Sequence, residues 1–235
     1  MIIKEGMITI TPEEKNTIHK YISSLCNHIN KQFEGDGRTI SYSVPIVIIA
    51  INDYSDKINP FGIPIKYIFS IGNSNASFNN KTKTITINVI SVAKYSRPSV
   101  HTFDYSDYSI WGIRKEDLIP LFIHEYIHYK QNTARTEKSG PYNISKNWSE
   151  KGIYLTRPWE NQAWAAEYIE YLRNRMKIKN PKQILNQLRK MGVMHNPDLE
   201  KLKKQDIQAW KRVMKNAIMY ALQSSNATQA SPKTQ

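Results

Sequence analysis

Segments with a strand-forming pattern cluster between residues 44 and 90, and helical patterns occupy the chain on both sides of that region. Val44 to Ile51 is a β-branched run typical of a buried strand, and residues 65–71 and 83–90 are two more β-rich segments. The Gly/Asn/Ser-rich stretch Gly72 to Asn80 separates the last two, which we expect to pair as a hairpin. Strands grouped together and followed by helices predict an α+β fold.

The last β-rich segment has an alternating pattern. Thr82, Thr84, Thr86 and Asn88 alternate with isoleucine and valine. Because successive side chains of a strand point to opposite faces, this alternation predicts one face in water. We therefore expect a strand at 82–89 that forms an edge of the sheet.

The helical patterns have clear starting signals. Thr11-Pro12-Glu13-Glu14 resembles a capping box and precedes apolar residues at helical spacing from Ile18 to Phe33. A second helix is predicted to start at Asp117, with Pro120 at its third position, and to run through LFIHEYIHYKQ. A third is predicted to open at Pro158. The predicted organisation is a domain at 1–178, a basic helical extension at 179–222 packed on it, and a flexible tail at 223–235.

Composition limits the class of protein. No apolar run approaches the roughly 20 residues of a membrane span, and the N-terminus lacks a signal-peptide pattern. The single cysteine, Cys26, cannot form an internal disulfide and is predicted to be a core residue. We therefore expect a protein of the cytoplasm, or one associated with a virion if the source is viral.

The segment HEYIH carries the clearest chemical signal. Residues four apart on a helix lie about 40° apart around its axis, so His124 and His128 share a face and can bind one metal ion. Zinc lowers the pKa of a bound water, and the neighbouring Glu125 is placed to accept its proton and pass it to a leaving amine. The pattern predicts metal-assisted hydrolysis with Zn²⁺ as cofactor.

A catalytic zinc usually has three protein ligands and one open position. A histidine six residues after His128, preceded by glycine, would be typical of metzincins, but Gln131 and Ala134 occupy those positions. The helix opening at Pro158 offers Glu160 and Glu167 instead. We favour Glu160 because it lies at the start of that helix, where the preceding loop can aim it, while Glu167 suits a contact to a ligand histidine. The choice between them stays open at this point.

HEYIHYKQ, followed by PWENQAWA at residues 158–165, resembles the gluzincin branch of zincin metallopeptidases, particularly small phage or bacterial proteins with HExxHxxQ and a later P-x-E-x-x-A segment. The resemblance implies a zincin-like fold, in which an N-terminal helix and a small twisted mixed sheet pack on the HExxH helix, followed by C-terminal helices. It also implies that an edge strand, here 82–89, binds an extended peptide by strand addition. His124, His128 and Glu160 carry over as zinc ligands and Glu125 as general base. The N-E-x-x-S-D signature of thermolysin-like enzymes is absent.

Other residues are candidates for supporting roles. Gln131, seven residues after His124, is a candidate for a hydrogen bond to a ligand histidine, with a plain exposed polar residue as the alternative. A peptidase also needs a group that stabilises the developing oxyanion, and Tyr154 is our choice over Arg157 and Tyr142.

The charge distribution supports two rival functions. The chain has a formal charge of +13, and residues 171–216 hold 13 Lys or Arg against 3 Asp or Glu. Such a segment can contact nucleic acid or another anionic polymer. The first rival is therefore a catalytically idle zincin fold that serves as a structural, virion-associated or polyanion-binding protein. The second is hydrolysis of another amide, for example in peptidoglycan. The candidate polyanion contacts are Lys201, Lys203, Lys204, Lys211 and Arg212.

Overall fold

A computed structural model of the chain describes residues 8–34, 47–50, 61–69, 75–88, 114–139, 158–190 and 203–229. The helices are α1 (Pro12–Glu34), α2 (Lys115–Ser139), α3 (Pro158–Asn174), α4 (Pro181–Lys190) and α5 (Ile207–Gln229). The strands are β1 (Val47–Ala50), β2 (Ile65–Phe69), β3 (Ala76–Asn79) and β4 (Thr84–Asn88). The chain divides into two compact units, one of residues 13–126 and one of residues 1–12 with 127–235. The predicted α+β class is confirmed.

Helix α1 belongs to the unit of residues 13–126 and begins where its capping signal predicted. Ile18, Tyr21, Ile22 and Leu25 are buried, as the helical spacing of apolar residues required. Cys26 is buried on the same helix, in agreement with its prediction as a core residue. Burial, followed by the negative charges of Glu116 and Asp117, raises the pKa of its thiol to about 12.

The sheet is mixed, as expected, but its pairing differs from the predicted hairpin. The strand order is β1-β2-β4-β3, with β1 antiparallel to β2 and β3 antiparallel to β4. The expected partners β2 and β4 do lie side by side, but they are parallel. A parallel pair needs a crossover connection, and here the intervening chain contains β3 at the outer edge. The hairpin is instead formed by β3 and β4.

The predicted exposed edge at 82–89 is wrong for the same reason. Strand β4 lies between β2 and β3, and both Thr84 and Asn88 are buried. Small polar side chains alternating with isoleucine do not require a face in water, because here they are buried in an interior strand. Strand β3 is the edge on this side of the sheet, with Ser77 and Asn79 exposed.

The turn between β3 and β4 is stabilised by a local side chain. Asn79 Oδ1 accepts hydrogen bonds from the backbone N–H groups of Lys81 at 2.9 Å and Thr82 at 3.1 Å. This arrangement is the Asx turn that asparagine favours. Lys83 then has a φ of 54°, in the left-handed region that most residues avoid.

Aromatic side chains pack around the first half of α2. Phe61 lies with its ring centroid 5.9 Å from that of Phe122 and 5.3 Å from that of Tyr126. Tyr21 of α1 lies edge-on to Phe61 at 5.9 Å. The Tyr126 hydroxyl donates a hydrogen bond of 3.0 Å to Glu14 Oε1. These contacts hold α1 against the part of α2 that carries HEYIH.

Helix α2 begins earlier than predicted. Its first residue is Lys115, and the carbonyl of Arg114 accepts hydrogen bonds from the N–H groups of Asp117 and Leu118. Asp117 therefore lies in the first turn rather than at the cap. In the first turn its negative charge interacts favourably with the helix dipole, and its carboxylate pairs with Arg114 Nε at 2.8 Å. Pro120 lies inside the helix, so its missing N–H does cost one helical hydrogen bond.

Helices α3 and α5 pack together within the other unit. Trp164 of α3 and Trp210 of α5 pack against buried Ala209 and Val213. Helix α5 continues to Gln229, so residues 223–229, expected to be a flexible tail, are helical. Among the described helices, none combines the length and the hydropathy that a membrane span needs.

A buried ion pair lies within α3, and its arginine also contacts α5. Glu170 is completely buried, and Arg173 Nη1 donates to its Oε1 at 3.0 Å. Arg173 Nη2 donates to the carbonyl of Ala221 on α5 at 3.1 Å, and Asn174 Nδ2 donates to Glu170 Oε2 at 3.0 Å. Both carboxylate oxygens thus accept a hydrogen bond, and the guanidinium links the C-terminal turn of α3 to α5.

Candidate metal centre

Both histidines of HEYIH lie on the uninterrupted helix α2, one turn apart. His124 is 8% exposed and Glu125 is also buried, while His128 is half-buried. The helix is buried on all sides before the motif, because Leu118 through Phe122 are consecutive core residues, and Ile127 is buried within the motif.

Glu160 completes a three-residue group. It is the third residue of α3, immediately after the helix opens at Pro158, and it is 4% exposed. Its Oε2 lies 3.2 Å from Nε2 of His128. One ligand atom from each of His124, His128 and Glu160 lies within 4.8 Å of the other two, so the three atoms can surround a single ion.

Gln131 determines how the His128 ring is presented. It is 7% exposed, and its Nε2 donates to the backbone carbonyl of Trp159 at 3.0 Å. A carbonyl can only accept, so the amide oxygen must be the atom that faces His128. His128 Nδ1–H therefore donates to Gln131 Oε1, at 3.0 Å.

The opposite ring nitrogen then faces a carboxylate. With its proton on Nδ1, a neutral His128 directs the lone pair of Nε2 toward Glu160 Oε2, 3.2 Å away. Two acceptors at this distance repel each other in a site with little water, so a positive centre, either a proton or a metal ion, is needed between them. The arrangement suits a cation.

The other residues predicted from the sequence to have functional roles lie outside the three-residue group or outside the described residues. Glu167 is half-buried further along α3, and among the described residues it is not part of the three-residue group. Tyr154 lies outside the described residues, as do Arg157, Tyr142 and Lys201. The other candidate polyanion contacts, Lys203, Lys204, Lys211 and Arg212, are exposed in the unit that contains α5.

One neighbour of the site was not identified from the sequence. Gln162 Oε1 accepts a hydrogen bond of 3.2 Å from Nε2 of Gln131, and so it lies one step behind the contact to His128. Nothing in the spacing of Gln162 marks it, because its role depends on the approach of α3 to Gln131. A search for a polar partner of Gln131 on the helix that carries Glu160 would have proposed it.

Comparisons of the chain with protein-family models, with curated proteins and with solved structures find no match. The resemblance to gluzincins therefore stands on the two motifs alone.

Proposed function

We propose that the chain is a zinc-dependent peptidase of the gluzincin type, with His124, His128 and Glu160 as zinc ligands and Glu125 as general base. The observation that carries the proposal is the group of three ligand atoms within 4.8 Å of one another, at the positions that the motifs predicted. Glu160 comes from a different helix than the histidines, so helical spacing alone does not explain the group.

The donor set fits zinc better than the other common divalent ions. Two imidazoles and one carboxylate are typical of catalytic zinc sites that keep a fourth position open. Magnesium and calcium prefer sites built of oxygen ligands. The hydrogen bond from Nδ1 of His128 to Gln131 leaves Nε2 as the ligating nitrogen, and such an outer contact is usual for ligand histidines.

The chemistry follows from the residues around the ion. A zinc ion held here would lower the pKa of a water in its open position and polarise the carbonyl of a bound amide. Glu125 is not needed as a ligand, and its place next to His124 on α2 lets it accept the proton of the attacking water. The same carboxyl group then delivers that proton to the leaving amine. Peptides as the substrate class follow from the family resemblance.

The test is the zinc content of the purified full chain by elemental analysis without chelators. We expect about one zinc per chain, which His128→Ala and Glu160→Gln lose. Glu125→Gln should keep zinc and lose hydrolysis of a fluorogenic peptide mixture. Glu13→Gln is the control, because it changes an exposed carboxylate on α1 and should keep both properties. A parent chain that takes up no zinc after resupply would refute the proposal.

The main alternative is a protein that binds an anionic polymer and has no catalytic role. Helix α5 contains no acidic residue, and Lys211, Arg212 and Lys215 are exposed on its first turns. The logarithm of the affinity for duplex DNA falls linearly with the logarithm of the salt concentration. Each phosphate that the protein neutralises makes this slope steeper by about 0.9. This alternative predicts tight, salt-sensitive binding of DNA by the parent chain.

Replacement of these three cations by glutamine tests the alternative. The triple variant should lower the salt slope by about 2 to 3 if all three contact phosphates. Lys20→Gln, an exposed cation on α1, is the control and should leave the slope unchanged. Equal, weak binding by the parent and the triple variant would exclude a nucleic-acid role for this surface.

A further inference from the structure

A chain of hydrogen bonds leads away from the candidate metal centre. His128 donates from Nδ1 to Gln131 Oε1 at 3.0 Å, and Gln131 donates from Nε2 to Gln162 Oε1 at 3.2 Å. The backbone N–H of Ile8 also points to Gln162 Oε1, at 3.5 Å. All of these residues lie in one compact unit.

Backbone groups determine the direction of this chain at two points. The carbonyl of Trp159 can only accept, which fixes Nε2 of Gln131 on that side. The N–H of Ile8 can only donate, which fixes the oxygen of Gln162 toward Gln131. Neither amide can be reversed without placing two donors or two acceptors against each other. The orientations of the two amides thus place the proton of the neutral His128 ring on Nδ1.

We propose that Gln162 is a positioning residue for the metal ligand His128 and acts through Gln131. The inference rests on the proposed metal site. By holding Nε2 of Gln131, Gln162 keeps the amide oxygen toward Nδ1 of His128, so that Nε2 of the ring carries its lone pair toward the ion. A reversed Gln131 amide would favour the proton on Nε2, and that nitrogen could not bind a metal.

The expected loss of zinc affinity differs between the residues of this series of hydrogen bonds. Removal of an outer contact to a ligand typically lowers metal affinity by about 10- to 100-fold, and we expect this from Gln131→Met. Gln162→Met removes one of the two acceptors of Gln131 Nε2, and loss of one hydrogen bond predicts a reduction of about 3- to 10-fold. Gln162→Glu keeps an acceptor at the same position and should retain the affinity of the parent.

A double-mutant cycle separates action through Gln131 from a general structural effect. The Zn²⁺ affinity of the full chain is measured by competition with a chromophoric chelator for the parent, both methionine variants and the double variant. If Gln162 acts through Gln131, Gln162→Met has no further effect in the Gln131→Met background. Gln183→Met, an exposed glutamine on α4, is the control and should have parental affinity.

A second measurement uses the zinc-loaded chain. The ¹⁵N chemical shifts of the His128 ring report which nitrogen binds the ion and which carries the proton. We expect a protonated Nδ1 with a metal-bound Nε2 in the parent and in Gln162→Glu, and a mixture of ring states in Gln162→Met.

Three outcomes would overturn the inference. Zinc affinity of Gln162→Met equal to that of the parent, with an unchanged tautomer, would leave the metal site intact but remove Gln162 from it. An equal loss of affinity in both backgrounds would show a structural effect that does not pass through Gln131. A parent chain without zinc affinity would refute the metal site itself, and this inference with it.

Discussion

The buried ion pair between Glu170 and Arg173 makes the position of α3, which also carries Glu160, sensitive to a single substitution. Glu170 is completely buried and the Arg173 side chain is 12% exposed. Removal of one partner from such a pair leaves an uncompensated charge in a medium that solvates it poorly. Arg173→Met tests this, because methionine keeps much of the length of the side chain and loses the charge.

The magnitude follows from the contacts that remain. Loss of one partner of a buried pair typically costs about 3–5 kcal/mol of the free energy of unfolding. Asn174 still donates to Glu170 Oε2 at 3.0 Å, so we expect a value near the lower limit, about 3 kcal/mol. The lost hydrogen bond to the carbonyl of Ala221 is included in that figure. Against a total of about 5–15 kcal/mol, this is a large effect.

The assay is urea unfolding at neutral pH, followed by tryptophan fluorescence. Trp164 and Trp210 lie in the same unit as the ion pair and report on it. Glu170→Gln added to Arg173→Met removes the buried carboxylate charge that has lost Arg173 and should restore most of the loss. A cost below about 1 kcal/mol for Arg173→Met, or no recovery in the double variant, would refute the reasoning, since the carboxylate could then not be buried as described.

Two further predictions concern the other unit. Burial and the charges of Glu116 and Asp117 raise the pKa of the Cys26 thiol to about 12, so almost no thiolate exists at pH 8. A disulfide reagent should therefore label the native chain far more slowly than the urea-unfolded chain. Equal labelling rates would contradict the burial of Cys26. Lys83→Gly should stabilise the chain by about 0.5–1 kcal/mol in thermal unfolding, because glycine adopts a φ of 54° without steric cost. Lys81→Gly, in the same turn, is the control and should bring no gain.

Features specified by neighbours in sequence were predictable. Helix α1 followed from its capping box and the spacing of Ile18 to Leu25, and α3 opens at Pro158 as the sequence indicated. The shared face of His124 and His128 follows from the helix period. Glu160 was favoured for its place at the start of α3, and the structure brings it to His128.

Features that depend on distant parts of the chain were not predictable. The β2 and β4 segments each contain two isoleucines, and nothing in either specifies whether they pair in parallel or antiparallel fashion. The burial of Thr84 and Asn88 depends on the strands on both sides of β4. Gln162 was missed because its contact is made with another helix.

The strand order has a consequence for the way the chain is made. Strand β4 is the last of the four to be synthesised, yet it occupies the position between β2 and β3. While the ribosome is still producing residues before Thr84, β2 is paired only with β1, and the sheet lacks one of its two interior strands. The hairpin of β3 and β4 closes over a short turn and is expected to form first, before it docks beside β2. A nascent chain arrested before β4 has left the ribosomal tunnel should therefore be cleaved readily by proteases. A slightly longer nascent chain, with β4 outside the tunnel, should resist them.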